Sequence, residues 1–110
     1  MAIDAIYPSL KDKTVLITGG GSGIGEALTR AFIAQSAKVG FLDYDKAASE
    51  TLAAELDSPD LHFEYCDLRD IDALQVAVKA VSAKLGPIRI LVNNAARDDR
   101  HSLELSLIHI

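Results

Sequence analysis

The chain has 110 residues, of which 49% are hydrophobic, 25% charged and only 5% aromatic, the composition of an ordinary globular domain of modest size. Eleven Lys and Arg against sixteen Asp and Glu leave a net charge of -5, which disfavours nucleic acid and anionic membrane surfaces as partners. Its apolar runs fall far short of a membrane span, Cys66 stands alone, and His62, His101 and His109 have no ligand spacing, so a membrane helix, a disulfide scaffold and a metal site are not expected.

The N-terminal segment carries Asp4 early and lacks the basic start and long apolar core of a secretory signal, so a cytoplasmic location is expected. Residues 13–18 form a short β-branched run that ends in glycines, a first buried strand running into a loop. From Gly23 the residues Ile24, Leu28, Ala31 and Phe32 recur at helical spacing, with Glu26 near the positive end of the helix dipole, and predict a helix to about Gln35 with these residues inward. Residues 38–43 read as a second strand, and the Ala-rich residues 45–56 as a second helix broken by Ser58-Pro59-Asp60.

Residues 61–66 predict a third strand. Asp70 is a candidate N-cap for a helix whose stripe runs through Ile71, Leu74, Val78, Val81 and Leu85 to the stop at Gly86-Pro87. Residues 88–92 are a fourth apolar strand, followed by Asn93-Asn94-Ala95-Ala96 and a charged stretch. Strands alternating with helices in this way predict an α/β fold, the N-terminal half of a doubly wound parallel sheet, with helices covering both faces.

The loop after the first strand, Thr18-Gly19-Gly20-Gly21-Ser22-Gly23-Ile24-Gly25, is where backbone N–H groups and a helix dipole would face a pyrophosphate. Gly20 and Gly25 have P-loop separation, but Glu26 stands where the phosphate-binding Lys is needed, so a nucleotide triphosphatase is disfavoured. The Gly-x-Gly-x-x-Gly fingerprint also fails, since Ile24 follows Gly21 by three residues and Glu26 follows Gly23 by three. Asp43 ends the second strand about 20 residues past the loop, where a carboxylate accepts hydrogen bonds from an adenosine ribose and repels a 2′-phosphate, which points to NAD rather than NADP. Asp67 and Leu68, just past the third strand, would flank the adenine, although an acid there also serves as a turn former.

With Asp43, Asp67-Leu68 and Asn93-Asn94-Ala95-Ala96 at the expected strand ends, the chain resembles the classical short-chain dehydrogenase/reductase family over residues 11–96. Ala96 departs from the family's Asn-Asn-Ala-Gly, a small change that should still admit a cofactor. The resemblance implies NAD contacts from Gly19, Ser22, Gly23, Ile24, Gly25, Asp43, Asp67, Leu68, Asn93 and Ala95, with Asn93 also tying the central strands together. Residues 5–11 and Asp98-Asp99-Arg100-His101 look like the NAD-dependent D-xylose/aldose 1-dehydrogenase branch, which implies hydride transfer to NAD from C1 of a sugar, in a homotetramer.

In that family the chemistry belongs to a Ser, a Tyr-x-x-x-Lys pair and an Asn that lie beyond the fifth strand, in chains more than twice this length. The Tyr7 to Lys11 spacing imitates the pair but precedes the first strand, so no catalytic residue is assigned. Residues 105–110 (Leu-Ser-Leu-Ile-His-Ile) are what CTGTCTCTTATACACATC encodes, which looks like a transposase mosaic-end adapter; continuation of a helix begun at Ser102-Leu103-Glu104 is the competing reading. The expectation is therefore a dinucleotide-binding portion at residues 1–104 with a non-native tail at 105–110, inactive by itself and prone to aggregate through its uncovered sheet. The alternatives are another member of the family, such as a 3-oxoacyl reductase, a non-catalytic NAD-binding module, and a truncated product without function.

Overall fold

A computed structural model describes residues 7–21 and 23–94. Four strands, β1 (Thr14–Thr18), β2 (Lys38–Asp43), β3 (Leu61–Tyr65) and β4 (Ile88–Asn93), alternate with three helices, α1 (Gly23–Ala34), α2 (Lys46–Leu56) and α3 (Ile71–Leu85). A single turn of 3₁₀ helix at Pro8–Leu10, not anticipated from the sequence, precedes β1. All strand pairs are parallel, as the alternation predicted, and the strand order is β3-β2-β1-β4.

The two middle strands are buried almost throughout, and that is why β1 reads Thr-Val-Leu-Ile-Thr without polar alternation. Val15, Ile17, Val39 and Phe41 face α1 and α2, where Phe41 stacks on Phe63 with ring centroids 5.1 Å apart. Leu16 and Leu42 face α3, which buries Leu74, Ala77, Val78, Val81 and Leu85. Ile71, the first member of that predicted stripe, is only half-buried because it lies in the opening turn.

Helix ends follow local chemistry. Asp45 caps α2 by accepting from Ala48 N at 3.0 Å, and Asp70 caps α3 by accepting from Ala73 N at 3.0 Å. α2 stops where Asp57 takes the left-handed conformation, φ 44°, and α3 at Gly86, φ 101°.

One packing expectation fails. Ile24 does not lie on the inner face of α1: it is 73% exposed, and the buried residues of that helix are Gly25 and Thr29. The first turns of α1 run so close to the glycine loop that only small side chains fit beneath them, and Ile24 is turned outward. The larger inward residues, Leu28, Phe32 and Ile33, come later, where the helix has room to pack on the β2 side of the core.

Cys66 follows β3 and is packed against the α3 face of the core. Burial, reinforced by the charges of Asp67, Asp70 and Glu64, pushes its thiol up to about 11 from 9.0. The folded state thus holds this proton more tightly than the unfolded chain, so stability is lost as pH rises from about 9 towards about 11. Iodoacetamide at pH 8 is expected to label Cys66 at least ~10-fold more slowly than in the urea-unfolded chain; equal rates would show the thiol to be open.

Candidate functional site

The parallel register brings the C-terminal residues of the strands to one edge, with Thr18 level with Leu42 and Asn93, and Asp43 level with Tyr65. The glycine loop leaves β1 at that edge, and most of the sequence-selected residues surround it. Ser22 and Ala95 lie outside the described residues.

The loop's shape is held by hydrogen bonds from three directions. Gly21 N–H donates to Asp43 Oδ2 at 2.9 Å, and Asp43 Oδ1 accepts from Asp45 N at 2.9 Å. Thr29 Oγ1 lies 2.9 Å from Gly25 O and 3.2 Å from Gly20 O, anchoring the loop to α1 with its one proton. From β4, Asn94 Nδ2 donates to Gly19 O at 3.1 Å, while Asn94 N donates to Thr18 Oγ1 at 3.0 Å.

Asn93 has a lesser part in this tie: its Oδ1 accepts from Thr18 Oγ1 at 3.2 Å. The sequence motif thus splits into two jobs, Asn93 joining β4 to β1 and Asn94 joining β4 to the loop. Asn94, Thr18 and Thr29 were not selected from sequence, although the doubled Asn at a strand end was a signal for the first.

The glycines are required for different reasons. Gly19 and Gly23 have φ of 70° and 59°, left-handed backbone that a side chain disfavours. Among the described residues a Cβ at Gly23 would meet nothing within 4 Å, which leaves space there for a ligand. A Cβ at Gly25 would collide with Gly19 O and stand 2.6 Å from Asn94 Nδ2, and one at Gly21 would collide with Ser49 Oγ and stand 2.9 Å from Asp43 Oδ2.

Asp43 is only 7% exposed, and its carboxylate is a latch on the loop as well as the acid at the strand end. Asp67 is held by its neighbour: Arg69 N and Nε reach Oδ1 at 3.0 Å and Arg69 Nη2 reaches Oδ2 at 2.9 Å. Leu68 is half-buried against the α3 side of the core.

A cleft of about 330 Å³ between α1 and α2 opens beside Gly21, lined also by Glu26, Arg30, Thr51 and Glu55. Its cation, Arg30, is held by Glu26, with Nε 3.0 Å from Oε2, and by Glu55. Hydrogen bonds to Glu55 and Glu26 raise the guanidinium further above its ordinary value, so it is a fixed charge already matched by two carboxylates.

Tyr7 and Lys11 flank the 3₁₀ turn before β1, and Tyr7 N bonds to Gln35 Oε1 at 2.7 Å, beyond the end of α1 remote from the loop. That pair is therefore far from the strand C-termini. Among the described residues, no helix is long and apolar enough to cross a membrane, and no group of three His, Cys, Asp or Glu could hold a metal ion.

A glycine loop between a first strand and a helix, an acid ending the next strand and an Asn pair ending the fourth have a clear counterpart. The family profile for short chain dehydrogenase matches residues 13–108. The chain belongs to the short-chain dehydrogenase family.

Among curated members, the chain is 50% identical over 101 residues to D-xylose 1-dehydrogenase of Caulobacter vibrioides, matching 90% of this chain and 39% of that protein. It is 42% identical over 87 residues to galactitol 2-dehydrogenase of Agrobacterium fabrum, matching 79% of this chain and 34% of that protein. The crystal structure of 3-ketoacyl-(acyl-carrier-protein) reductase from Brucella melitensis complexed with NADH superposes with a TM-score of 0.71 at 36% identity, covering 74% of this chain and 34% of that one. The chain thus spans about 40% or less of the length of these members.

The residues present fit a nicotinamide dinucleotide. Gly23 offers backbone under open space, the start of α1 supplies a positive dipole end, and Asp43 supplies an acceptor at the neighbouring strand end.

Proposed function

We propose that this chain is the NAD-binding portion of a dehydrogenase that oxidises a carbinol carbon of a sugar, with C1 of an aldose as the reacting centre. The observation that carries the reading is the convergence of the glycine loop, Asp43 and the Asn93-Asn94 pair on one edge of the parallel sheet. When bound, NAD supplies the hydride acceptor. The chain's own work is to bind and orient it: the loop and α1 would hold the pyrophosphate, Asp43 the adenosine ribose, and Asp67 and Leu68 would flank the adenine.

Selectivity for NAD over NADP follows from charge. A 2′-phosphate beside Asp43 would meet a carboxylate, and the Arg30 of the adjoining cleft is engaged by Glu26 and Glu55. The sugar assignment draws on the D-xylose and galactitol enzymes among the relatives, with 50% and 42% identity against 36% for the 3-ketoacyl reductase. A cytoplasmic homotetramer belongs to the same reading.

Isothermal titration of the chain with NAD and with NADP tests the cofactor assignment. NAD is expected to bind at least ~10-fold more tightly, the factor that about 1.4 kcal/mol of charge repulsion supplies. Equal binding, or preference for NADP, would overturn it.

A further inference from the structure

Ser49, in the early turns of α2, is fully buried, and among the described residues its Oγ has no hydrogen-bond partner. A serine or threonine inside a helix ordinarily returns its proton to a carbonyl one turn back, as Thr29 does to Gly25 O at 2.9 Å and Thr51 to Ala47 O at 2.9 Å. Ser49 does not, although its backbone N–H bonds to Asp45 O at 3.1 Å in the usual way. A buried hydroxyl in this condition costs free energy that alanine, the better helix former, would not.

The hydroxyl is not remote from the site. The point where a Gly21 Cβ would stand is in collision with Ser49 Oγ and 2.9 Å from Asp43 Oδ2, so the hydroxyl, the carboxylate and the loop backbone meet around one buried spot. In the structure Asp43 is committed to its protein partners, Oδ2 to Gly21 N–H and Oδ1 to Asp45 N–H, each at 2.9 Å. A carboxylate that turns to accept a ribose hydroxyl weakens one of these bonds, and a further donor beneath it becomes valuable.

We propose that Ser49 is a positioning residue of the dinucleotide site, whose hydroxyl donates to Asp43 when that carboxylate engages the adenosine ribose. The inference rests on the NAD-binding reading above. It gives the buried hydroxyl a hydrogen-bond acceptor that the described residues do not otherwise supply.

The test is Ser49→Ala in the full 110-residue chain, titrated calorimetrically with NAD and with its analogue lacking the adenosine 2′-hydroxyl, alongside a thermal melt without ligand. NAD binding is expected to weaken about tenfold or more, as for loss of one hydrogen bond to a charged group, with the analogue nearly unaffected. The melting temperature should stay constant or rise, because the substitution removes an unsatisfied buried hydroxyl. Unchanged NAD affinity, equal weakening towards both ligands, or a melting temperature that falls together with the affinity would each overturn the proposal. If the unsubstituted chain binds no NAD, the cofactor reading itself fails and this inference with it, a result distinct from normal NAD binding by both chains.

Discussion

Asp43→Ala is expected to weaken NAD binding about 100-fold and to destabilise the ligand-free fold by about 2–4 kcal/mol, while leaving NADP binding close to its starting weakness. The stability loss follows from the two N–H groups that the carboxylate now satisfies, Gly21 and Asp45, each at 2.9 Å and close to a side chain only 7% exposed. Bonds to a charged acceptor contribute about 1.5–3 kcal/mol each, and the two share one carboxylate, so their costs do not simply add.

For the cofactor two effects oppose. Removing the charge lifts the repulsion of a 2′-phosphate, but it also frees Gly21 and loosens the loop that would hold the pyrophosphate of either dinucleotide. The preference for NAD should therefore collapse mainly through loss of NAD affinity rather than through gain of NADP affinity. Asp43→Asn separates the terms, since its amide keeps one acceptor for one of the two N–H groups and presents a donor to the other. Titration with both cofactors, together with urea unfolding, checks this. Undiminished stability in Asp43→Ala would show that the latch on Gly21 does not hold the loop.

Legibility from sequence differs between the scaffold and the site. β2 and α3 have the expected bounds, α3 because an apolar stripe, an acidic cap at Asp70 and a stop at Gly86 agree with one another, and β2 because its short apolar stretch ends at Asp43. The parallel pairing followed from alternation, whereas the order β3-β2-β1-β4 is set by how the helices pack and no local pattern states it. Ile24 went astray because helical periodicity assumes a uniform partner surface, whereas α1 begins against a backbone loop that admits only Gly25 and Thr29.

Within the site, the positions of Gly19, Gly23, Gly25 and Asp43 were legible because each is a residue type placed at a strand end or in the loop after one. Their partners were not. That Asp43 latches Gly21, that Asn94 rather than Asn93 reaches Gly19 O, and that Ser49 lies beneath both loop and acid are consequences of how α2 and β4 pack, and no local pattern encodes them. Ser49 in particular sits in an Ala-rich helix where one hydroxyl reads as ordinary surface.

The two glycines flanking Ile24 should separate stability from binding. Gly25→Ala is expected to cost at least ~3 kcal/mol of stability, because its new Cβ would collide with the Gly19 carbonyl, and backbone cannot swing aside as the end of a side chain can. Relief would require α1 to move off β1, breaking the contact of Thr29 to Gly20 O and disturbing Asn94. Gly23→Ala meets no atom of the described residues within 4 Å, so its cost to the free fold is that of the left-handed backbone, about 1 kcal/mol at φ 59°. Its methyl would nevertheless project into the open space that the proposed pyrophosphate needs, and NAD affinity should fall at least ~30-fold, more than that strain accounts for. Urea unfolding and NAD titration on both variants should therefore rank them in opposite order, with Gly25→Ala worse for stability and Gly23→Ala worse for binding relative to its stability. If Gly23→Ala bound NAD as tightly as the unsubstituted chain, the open space above Gly23 would not be the pyrophosphate site.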